Sequence, residues 1–359
     1  MTGKNLVDNA LTRQNKGPNP FWLGCPVNET KELYARALGI TGDSACESGG
    51  VHEPPTGGML EIALAIATGS DVVWLCPEFD ADAYRTPDNK PLWDHHRGVK
   101  PKSLSQPGVF AGVDSIKEIE AFDWPNPENI SFDRNFREAE KARDSGLAVF
   151  GGMWCPFFHV LCGFFGMENY FERMYTDPDI VIAATEHVVD FYLAANKRCL
   201  DATHGLLSAA FFGNDLGTQR ALLISPECIG KFILPYMQKI IDQIKGYSLN
   251  VMLHCCGAVS EIIPMFIEAG IDALHPIQAL AAGMEPERLQ RAFGADLVFM
   301  GGVDTQLLLP FGTVEEVEQK VERLRDIFGP NFIVSPSHEA LLPNVGVEKV
   351  MAMSRKAKE

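Results

Sequence analysis

One short stretch of the chain, NVMLHCCG (residues 250–257), ends an apolar run with a histidine and two cysteines. Side chains alternate across an extended strand, so His254 and Cys256 share one side and Cys255 lies on the other. An imidazole and a thiolate are ligand types that zinc prefers. We therefore interpret His254 and Cys256 as a metal-binding pair that faces inward, and Cys255 as a packed residue that faces outward.

A catalytic zinc site uses three protein ligands and keeps one position open, so a third ligand must come from elsewhere in the chain. His338, in the stretch SPSHEA, follows another apolar run and is the first choice. His275 and Asp215 follow further runs and are the alternatives. A histidine or cysteine that only packs or forms a hydrogen bond is the ordinary explanation at such positions, because short motifs are weak evidence alone.

Further polar and aromatic residues follow the same apolar runs and are candidates for binding a substrate. They are Asn214, Glu78, Trp154, Phe157 and His275. Carboxylates in such places are often solvated or cap a turn, and aromatic side chains are as often plain core.

Eight short apolar runs alternate with long amphipathic segments, which is typical of parallel strands buried on both faces by helices. This order predicts an α/β fold of the (β/α)8, TIM-type barrel class, in which chemistry gathers at the carboxyl ends of the strands. An open doubly wound sheet is the rival, but no glycine-rich dinucleotide fingerprint follows any run. The runs are residues 20–24, 71–76, 147–153, 206–213, 250–255, 272–277, 297–302 and 332–336.

Two helix starts are readable from capping residues. Thr313 and Glu316 form the pattern of a capping box, and Asp177 precedes Pro178 as a candidate cap. We expect a single barrel domain over residues 20–359, preceded by an N-terminal extension over residues 1–19. The polar and proline-rich region 77–146, after the second run, is predicted to be a loop or insertion.

Bulk composition excludes several classes of protein. The 359 residues carry a net charge of −16, which disfavours nucleic acid as a partner. No apolar run reaches the ~20 residues of a membrane helix, and the polar start lacks the apolar core of a secretory signal. Nine cysteines without regular spacing indicate reduced thiols and a cytoplasmic location.

The chain resembles the uroporphyrinogen decarboxylase superfamily over roughly residues 147–355. That resemblance implies the barrel fold and one of two activities: a metal-free decarboxylase, or a zinc-dependent methyltransferase that works with corrinoid proteins. The stretches that carry the resemblance are GNDLGTQRALLISPE, VMLHCCGAVSEIIPMFIEAGIDALHPIQ, LVFMGGVDTQLLLPFGT and FIVSPSHEALLPNVGVEKVMAM.

Departures from the decarboxylase pattern favour the methyltransferase branch. The arginine-rich loop R-Q-A-G-R is replaced by FWLGCPVNETKEL, the F-S-D motif by WLCPEF, and a tyrosine by Cys162. The H-x-C motif of the methyltransferases is present as His254 and Cys256, whereas their later cysteine is replaced by His338. The resemblance thus implies a metal site of two histidines and one cysteine.

We therefore expect a methyltransferase that binds zinc and uses a corrinoid (cobalamin) carried by a separate partner protein. The expected reaction is O-demethylation of an aryl methyl ether, with transfer of the methyl group to cob(I)alamin. Asp215 and Glu339 are the candidates for orienting a ligand or a substrate proton. The alternatives are methyl transfer to a thiol such as coenzyme M, a metal-free decarboxylase-like lyase, and a non-catalytic small-molecule binder.

Overall fold

The computed structural model describes residues 1–40, 58–76, 92–93 and 103–359. Within these residues, seven parallel strands pair with their neighbours in sequence order. Each strand falls inside one of the apolar runs identified in the sequence or extends at most one residue beyond it. The predicted α/β barrel class is therefore confirmed. The strands are β1 (Val72–Trp74), β2 (Ala148–Gly151), β3 (Ala209–Gly213), β4 (Asn250–His254), β5 (Ala273–Ile277), β6 (Val298–Val303) and β7 (Ile333–Pro336).

The first predicted run, residues 20–24, fills the place between β7 and β1. Phe21 forms an isolated parallel bridge with Val334, and Asp71 donates a backbone hydrogen bond of 2.7 Å to Phe21. The run does not extend into a regular strand, because Pro20 lacks a donor and Gly24 adopts a positive φ of 89°. The barrel is therefore closed by seven strands and one short bridging segment.

Helices follow or precede each strand and cover the outside of the sheet. They are joined by a 3₁₀ turn, Pro127–Asn129, and by a π-helical segment, Ile229–Ile233, which connects two of them without a break. The helices are α1 (Gly3–Leu11), α2 (Asn28–Ala37), α3 (Gly58–Thr68), α4 (Ile116–Glu120), α5 (Asp133–Asp144), α6 (Phe157–Phe165), α7 (Met167–Thr176), α8 (Pro178–Ala202), α9 (Pro226–Cys228), α10 (Leu234–Gly246), α11 (Ile263–Ala269), α12 (Pro286–Phe293), α13 (Leu308–Phe311), α14 (Val314–Phe328) and α15 (Val347–Lys358).

The capping residues behave differently at the two predicted helix starts. Thr313 and Glu316 form the full capping box of α14, as predicted. Asp177 occupies the position before α8, but its side chain makes no capping hydrogen bond and instead accepts one from Thr176 at 2.8 Å. The predicted start of α8 is confirmed, but the predicted role of the Asp177 side chain as its cap is wrong.

The region predicted as a loop or insertion, 77–146, contains regular structure where it is described. Helices α4 and α5 lie within it, and α5 is the helix that precedes β2. The apolar face of α5 is narrow, and Ala139 and Ala142 on it are buried against the barrel. Because most of the helix is polar, its sequence resembles that of a loop. Residues 77–91 and 94–102 lie outside the described residues.

The barrel has two layers of packed apolar side chains. The outer layer lies between strands and helices, and the inner layer fills the barrel axis with residues such as Phe150, Phe211 and Met252. Helix α1, from the predicted N-terminal extension, adds Val7 and Leu11 to that inner layer. The amino-terminal end of the barrel is thus closed by apolar packing. In the described part of the chain, no helix is long and apolar enough to span a membrane.

Candidate metal centre

The candidate site lies at the carboxyl ends of β3, β4, β5 and β7. Parallel register aligns the last residue of β3, Gly213, with His254, and His254 with His275 on the next strand. A side chain at Gly213 would meet the Trp154 ring at 2.5 Å and His254 at 3.0 Å, so only glycine permits this close approach. The register therefore brings two histidines to one level of the barrel.

His254 is the centre of the site, since it is 2% exposed and its two ring nitrogens face different groups. Its Nε2 atom lies 3.2 Å from the Cys256 sulfur and 3.2 Å from Asp215 Oδ1. Asp215 Oδ1 also accepts a hydrogen bond of 2.9 Å from the backbone N–H of Cys256. These three side chains offer donor atoms that all lie within 4.8 Å of one another.

This donor set fits zinc, which binds imidazole nitrogen, thiolate sulfur and carboxylate oxygen. Cys255 belongs to the outer layer and is fully buried. The predicted alternation of the β4 tip is therefore confirmed: His254 and Cys256 face the site, whereas Cys255 packs between strands and helices.

The other ring nitrogen of His254 faces a second pair of groups. Its Nδ1 atom lies 3.0 Å from His275 Nδ1 and 3.4 Å from Glu339 Oε2, and these side chains form another close donor group. Glu339 Oε2 is buried, and none of the described residues offers it a partner of hydrogen-bond geometry. A histidine that holds a metal through Nε2 donates its Nδ1 proton to such a carboxylate. Glu339 and His275 therefore fit as the groups that face the Nδ1 side of the metal ligand.

Electrostatics at the site reflect crowded negative groups around one imidazole. Burial lowers the pKa of His254, but the carboxylates of Glu339 and Asp215 outweigh burial and raise it. Burial raises the pKa of Asp215, but the hydrogen bond and charge of His254 outweigh it and the pKa falls well below its usual range. The Cys256 thiol has its pKa raised strongly by burial and by both carboxylates. A divalent cation bound here would offset the repulsion among these negative groups and favour the thiolate form of Cys256.

A cavity of about 360 Å³ opens beside the donor set. Trp154 forms its aromatic wall, with its ring 5.1 Å from that of His254 in an edge-on arrangement. None of the described residues that line the cavity is a lysine or an arginine. The lining residues are Trp154, Pro156, His159, Gly213, Asp215, His254, His338 and Glu339.

Three predicted substrate-binding residues lie behind the cavity wall and not on its surface. Asn214 is 1% exposed, accepts a hydrogen bond of 2.9 Å from Phe158 and donates one of 3.2 Å to Cys155. Phe157 is fully buried in the outer layer. His275 is also buried, and its ring packs against aromatic rings of the inner layer. Glu78 lies outside the described residues, and Trp154 is the predicted residue that lines the cavity.

The predicted third ligand, His338, lines the cavity but lies apart from the donor set. Its ring is 6.1 Å from that of His254, and its Nδ1 atom accepts a hydrogen bond of 3.1 Å from Ala340. In this arrangement Asp215, the reserve candidate, lies beside His254 and Cys256. The role of His338 as a ligand stays a prediction.

His159 is a site residue that sequence reasoning missed. It lies in the first turn of α6, and its Nε2 atom is 3.7 Å from Asp215 Oδ2. Burial lowers the pKa of His159. The available signal was its place just after the third predicted strand, within WCPFFHV. The signal is weak because a helical turn, and not a strand, aims the ring at the cavity.

Comparison with known proteins connects the fold to a family. A family model described as Uroporphyrinogen decarboxylase (URO-D) matches residues 97–359. The methylcobamide:CoM methyltransferase MtbA of Methanosarcina mazei is 24% identical over 267 residues, 72% of this chain and 74% of that protein. The methylated-thiol–coenzyme M methyltransferase of the same organism is 28% identical over 211 residues, 54% of this chain and 53% of that protein.

A solved structure shows the same fold at low sequence identity. It is described as a methyltransferase from Methanosarcina mazei, with a TM-score of 0.69 and 15% identity. The superposition covers 99% of this chain and 98% of that one. The two proteins therefore share the overall fold.

Proposed function

Since this chain belongs to the uroporphyrinogen decarboxylase (URO-D) family, we propose that it is a zinc-dependent methyltransferase that works with a separate corrinoid protein. The observation that carries the proposal is the donor set of His254, Cys256 and Asp215, whose donor atoms lie within 4.8 Å of one another. The names of the two Methanosarcina relatives support the methyl transfer.

We assign the metal ligands to His254 Nε2, the Cys256 sulfur and an Asp215 oxygen, with the fourth position facing the cavity. Zinc bound there would supply Lewis-acid stabilisation of the negative charge that develops on a substrate oxygen or sulfur. Glu339 would accept the Nδ1 proton of His254 and so fix the orientation of its ring. Trp154 would hold the substrate against the open side of the site and exclude water from it.

The reaction we favour is removal of a methyl group from an aryl methyl ether, with cob(I)alamin as the acceptor. One thiolate with one carboxylate leaves the zinc a stronger Lewis acid than several thiolates would, which suits a poor oxygen leaving group. The indole of Trp154 offers a face on which an aromatic ring stacks. The His159 ring, 3.7 Å from Asp215, is placed to donate a hydrogen bond to the departing oxygen.

Methyl transfer to a thiol such as coenzyme M is the second candidate, because both relatives are named for that acceptor. Coenzyme M carries a sulfonate, and the described lining offers no lysine or arginine to bind it. The same lack of cationic side chains disfavours decarboxylation of uroporphyrinogen, whose several carboxylates need such partners.

A methyl-transfer assay with two neighbouring cysteine variants tests the proposal. The wild type and Cys255→Ala should convert free cob(I)alamin to methylcobalamin with methoxyarenes as donors, seen in the visible spectrum. Cys256→Ala should lose the reaction, because only Cys256 belongs to the donor set. Cys255 is the matched control, since it is the adjacent cysteine and faces away from the site.

Two other outcomes would change the conclusion. Loss of methylcobalamin on addition of coenzyme M, without any reaction of the methoxyarenes, would reverse the direction of transfer. Absence of transfer in both directions with the zinc-loaded wild type would reject the proposed function.

A further inference from the structure

Four large apolar side chains are exposed on the segments that follow β5, β6 and β7, at the end of the barrel where the cavity lies. Leu280 follows β5, Leu307 and Phe311 follow β6, and Leu342 follows β7; Leu307 is 63% exposed and Phe311 76% exposed. We call these four residues the rim patch. Single exposed leucines are ordinary, but a group on neighbouring loops is typical of an interaction surface.

Hydrogen bonds connect these loops into one surface. Gln219, after β3, donates to Gln278, after β5, at 2.7 Å and accepts from Gln306, after β6, at 3.5 Å. The backbone of Thr305 donates to the Ser337 hydroxyl at 3.1 Å, which joins the loops after β6 and β7. The rim patch is therefore carried by segments that contact one another beside the cavity mouth.

The most exposed member of the rim patch sits on a short helix that is held in place. The Lys349 amino group donates hydrogen bonds of 2.9 Å and 3.0 Å to the carbonyls of Leu309 and Pro310 in α13. Leu309 is fully buried beneath the helix, whereas Phe311 points outward. An aromatic side chain has few rotatable bonds and here sits on a helix whose backbone is held, so covering it costs little entropy, which suits it as an anchor in an interface.

The size of the cavity indicates what the rim patch contacts. About 360 Å³ accommodates a small molecule, at the lower end of ligand sites. A corrinoid bound to its own protein cannot enter that space, so the cobalt must be presented from outside, across the mouth. The carrier protein that presents it then covers the loops around the mouth, among them those after β5, β6 and β7.

We propose that the rim patch is the docking surface for a corrinoid carrier protein, with Leu307 and Phe311 as its apolar anchors. The partner is a folded protein that exposes one face of its corrinoid within an apolar surround. This inference rests on the proposed methyl transfer, because that reaction is what requires the partner. A second copy of this chain is the competing occupant.

Binding of a carrier protein tests the docking surface. The variants introduce an aspartate either in the rim patch or, as a control, at the opposite end of the barrel. The probe is a corrinoid carrier protein from the same organism, loaded with hydroxocobalamin and immobilised for biolayer interferometry. Leu307→Asp and Phe311→Asp should each weaken its binding at least about tenfold. The control is Ile66→Asp, which changes a residue 54% exposed in the last turn of α3, before β1 and at the opposite end; it should bind like the wild type.

Transfer to free cob(I)alamin is measured with the same variants. Leu307→Asp and Phe311→Asp should keep the wild-type rate there within about threefold, because they lie outside the donor set and only the docked carrier is affected. Absence of methyl transfer in both directions in the wild type would reject the proposed function, and the binding measurement would still decide the docking surface.

Three results would overturn the docking surface. The first is a wild type that fails to bind the carrier, and the second is unchanged binding by both rim variants. The third is a wild-type dimer that the rim variants convert to monomers, measured by sedimentation velocity, while they still bind the carrier. That result would assign the rim patch to contact with a second copy of the chain.

Discussion

The two ends of the barrel interior differ in chemistry although the same strands form both. At the amino-terminal end, Val7 and Leu11 of α1 pack on Phe150 and the other apolar residues of the inner layer. At the carboxyl end, His254 and Glu339 face a cavity. The comparison teaches that one end supplies the stability and the other end carries the chemistry, as in barrel enzymes generally.

The polar end carries a cost in stability that the apolar end offsets. Among the described residues, His275 Nε2 is buried at this end without a hydrogen-bond partner. Such an atom costs about 1–3 kcal/mol of unfolding free energy. Groups of this kind persist where function needs them, because the rest of the fold supplies the stability that they remove.

The largest effect on stability is expected at the amino-terminal end. Phe150→Ala removes a fully buried ring from the inner layer and should lower the free energy of unfolding by about 3–5 kcal/mol, because it leaves a cavity. Zinc content of the folded protein should stay unchanged. Guanidinium unfolding and metal analysis check both parts. A loss below about 1 kcal/mol would show that the inner layer does not stabilise the fold in this way.

At the carboxyl end, two variants distinguish the candidates for the third ligand. Asp215→Asn should raise the zinc dissociation constant at least about 100-fold, since removal of a group behind a ligand already costs about 10–100-fold. His338→Asn should change it less than about threefold, because its ring lies outside the donor set. Competition with a chromophoric chelator measures both constants. The reverse order would favour His338, the ligand that the sequence predicts, over Asp215.

A smaller effect is expected from the carboxylate behind His254. Glu339→Gln should weaken zinc binding about tenfold, because an amide oxygen accepts the Nδ1 proton less strongly than a carboxylate does. The same chelator competition measures it. A loss as large as that of Asp215→Asn would indicate that Glu339 itself binds the metal.

The smallest effect is expected far from the site. Thr313→Ala removes the capping box of α14 and should lower the free energy of unfolding by about 1 kcal/mol. Methyl transfer should stay at the wild-type rate, because this cap contacts no residue of the donor set. Thermal unfolding and the cobalamin assay check the two parts, and a loss of transfer without a loss of stability would contradict the separation of the two ends.

Much of the scaffold could be predicted because its determinants are local. Continuous apolar runs marked β1–β7, and the alternation within one strand correctly separated His254 and Cys256 from Cys255. The capping box of α14 is likewise a pattern of four consecutive residues. Such features follow from spacing alone, so they need no knowledge of the tertiary structure.

The rest of the site depends on contacts between distant segments. Asp215 approaches His254 because a turn after β3 lets it accept a hydrogen bond from Cys256, 41 residues away. His159 reaches the cavity from a helical turn that follows the loop after β2. Strand alternation does not give the orientations of Asp215 and His159, so the sequence alone could not decide between His338 and Asp215 as the third ligand.

Zinc content is the measurement that tests the central claim most directly. Mass spectrometric metal analysis compares the wild type, Cys256→Ala and Cys255→Ala after purification without chelator. We predict about one zinc per chain in the wild type and in Cys255→Ala, and less than about 0.1 in Cys256→Ala. A wild type that stays free of zinc after reconstitution, or a Cys256→Ala variant that keeps it, would contradict the account.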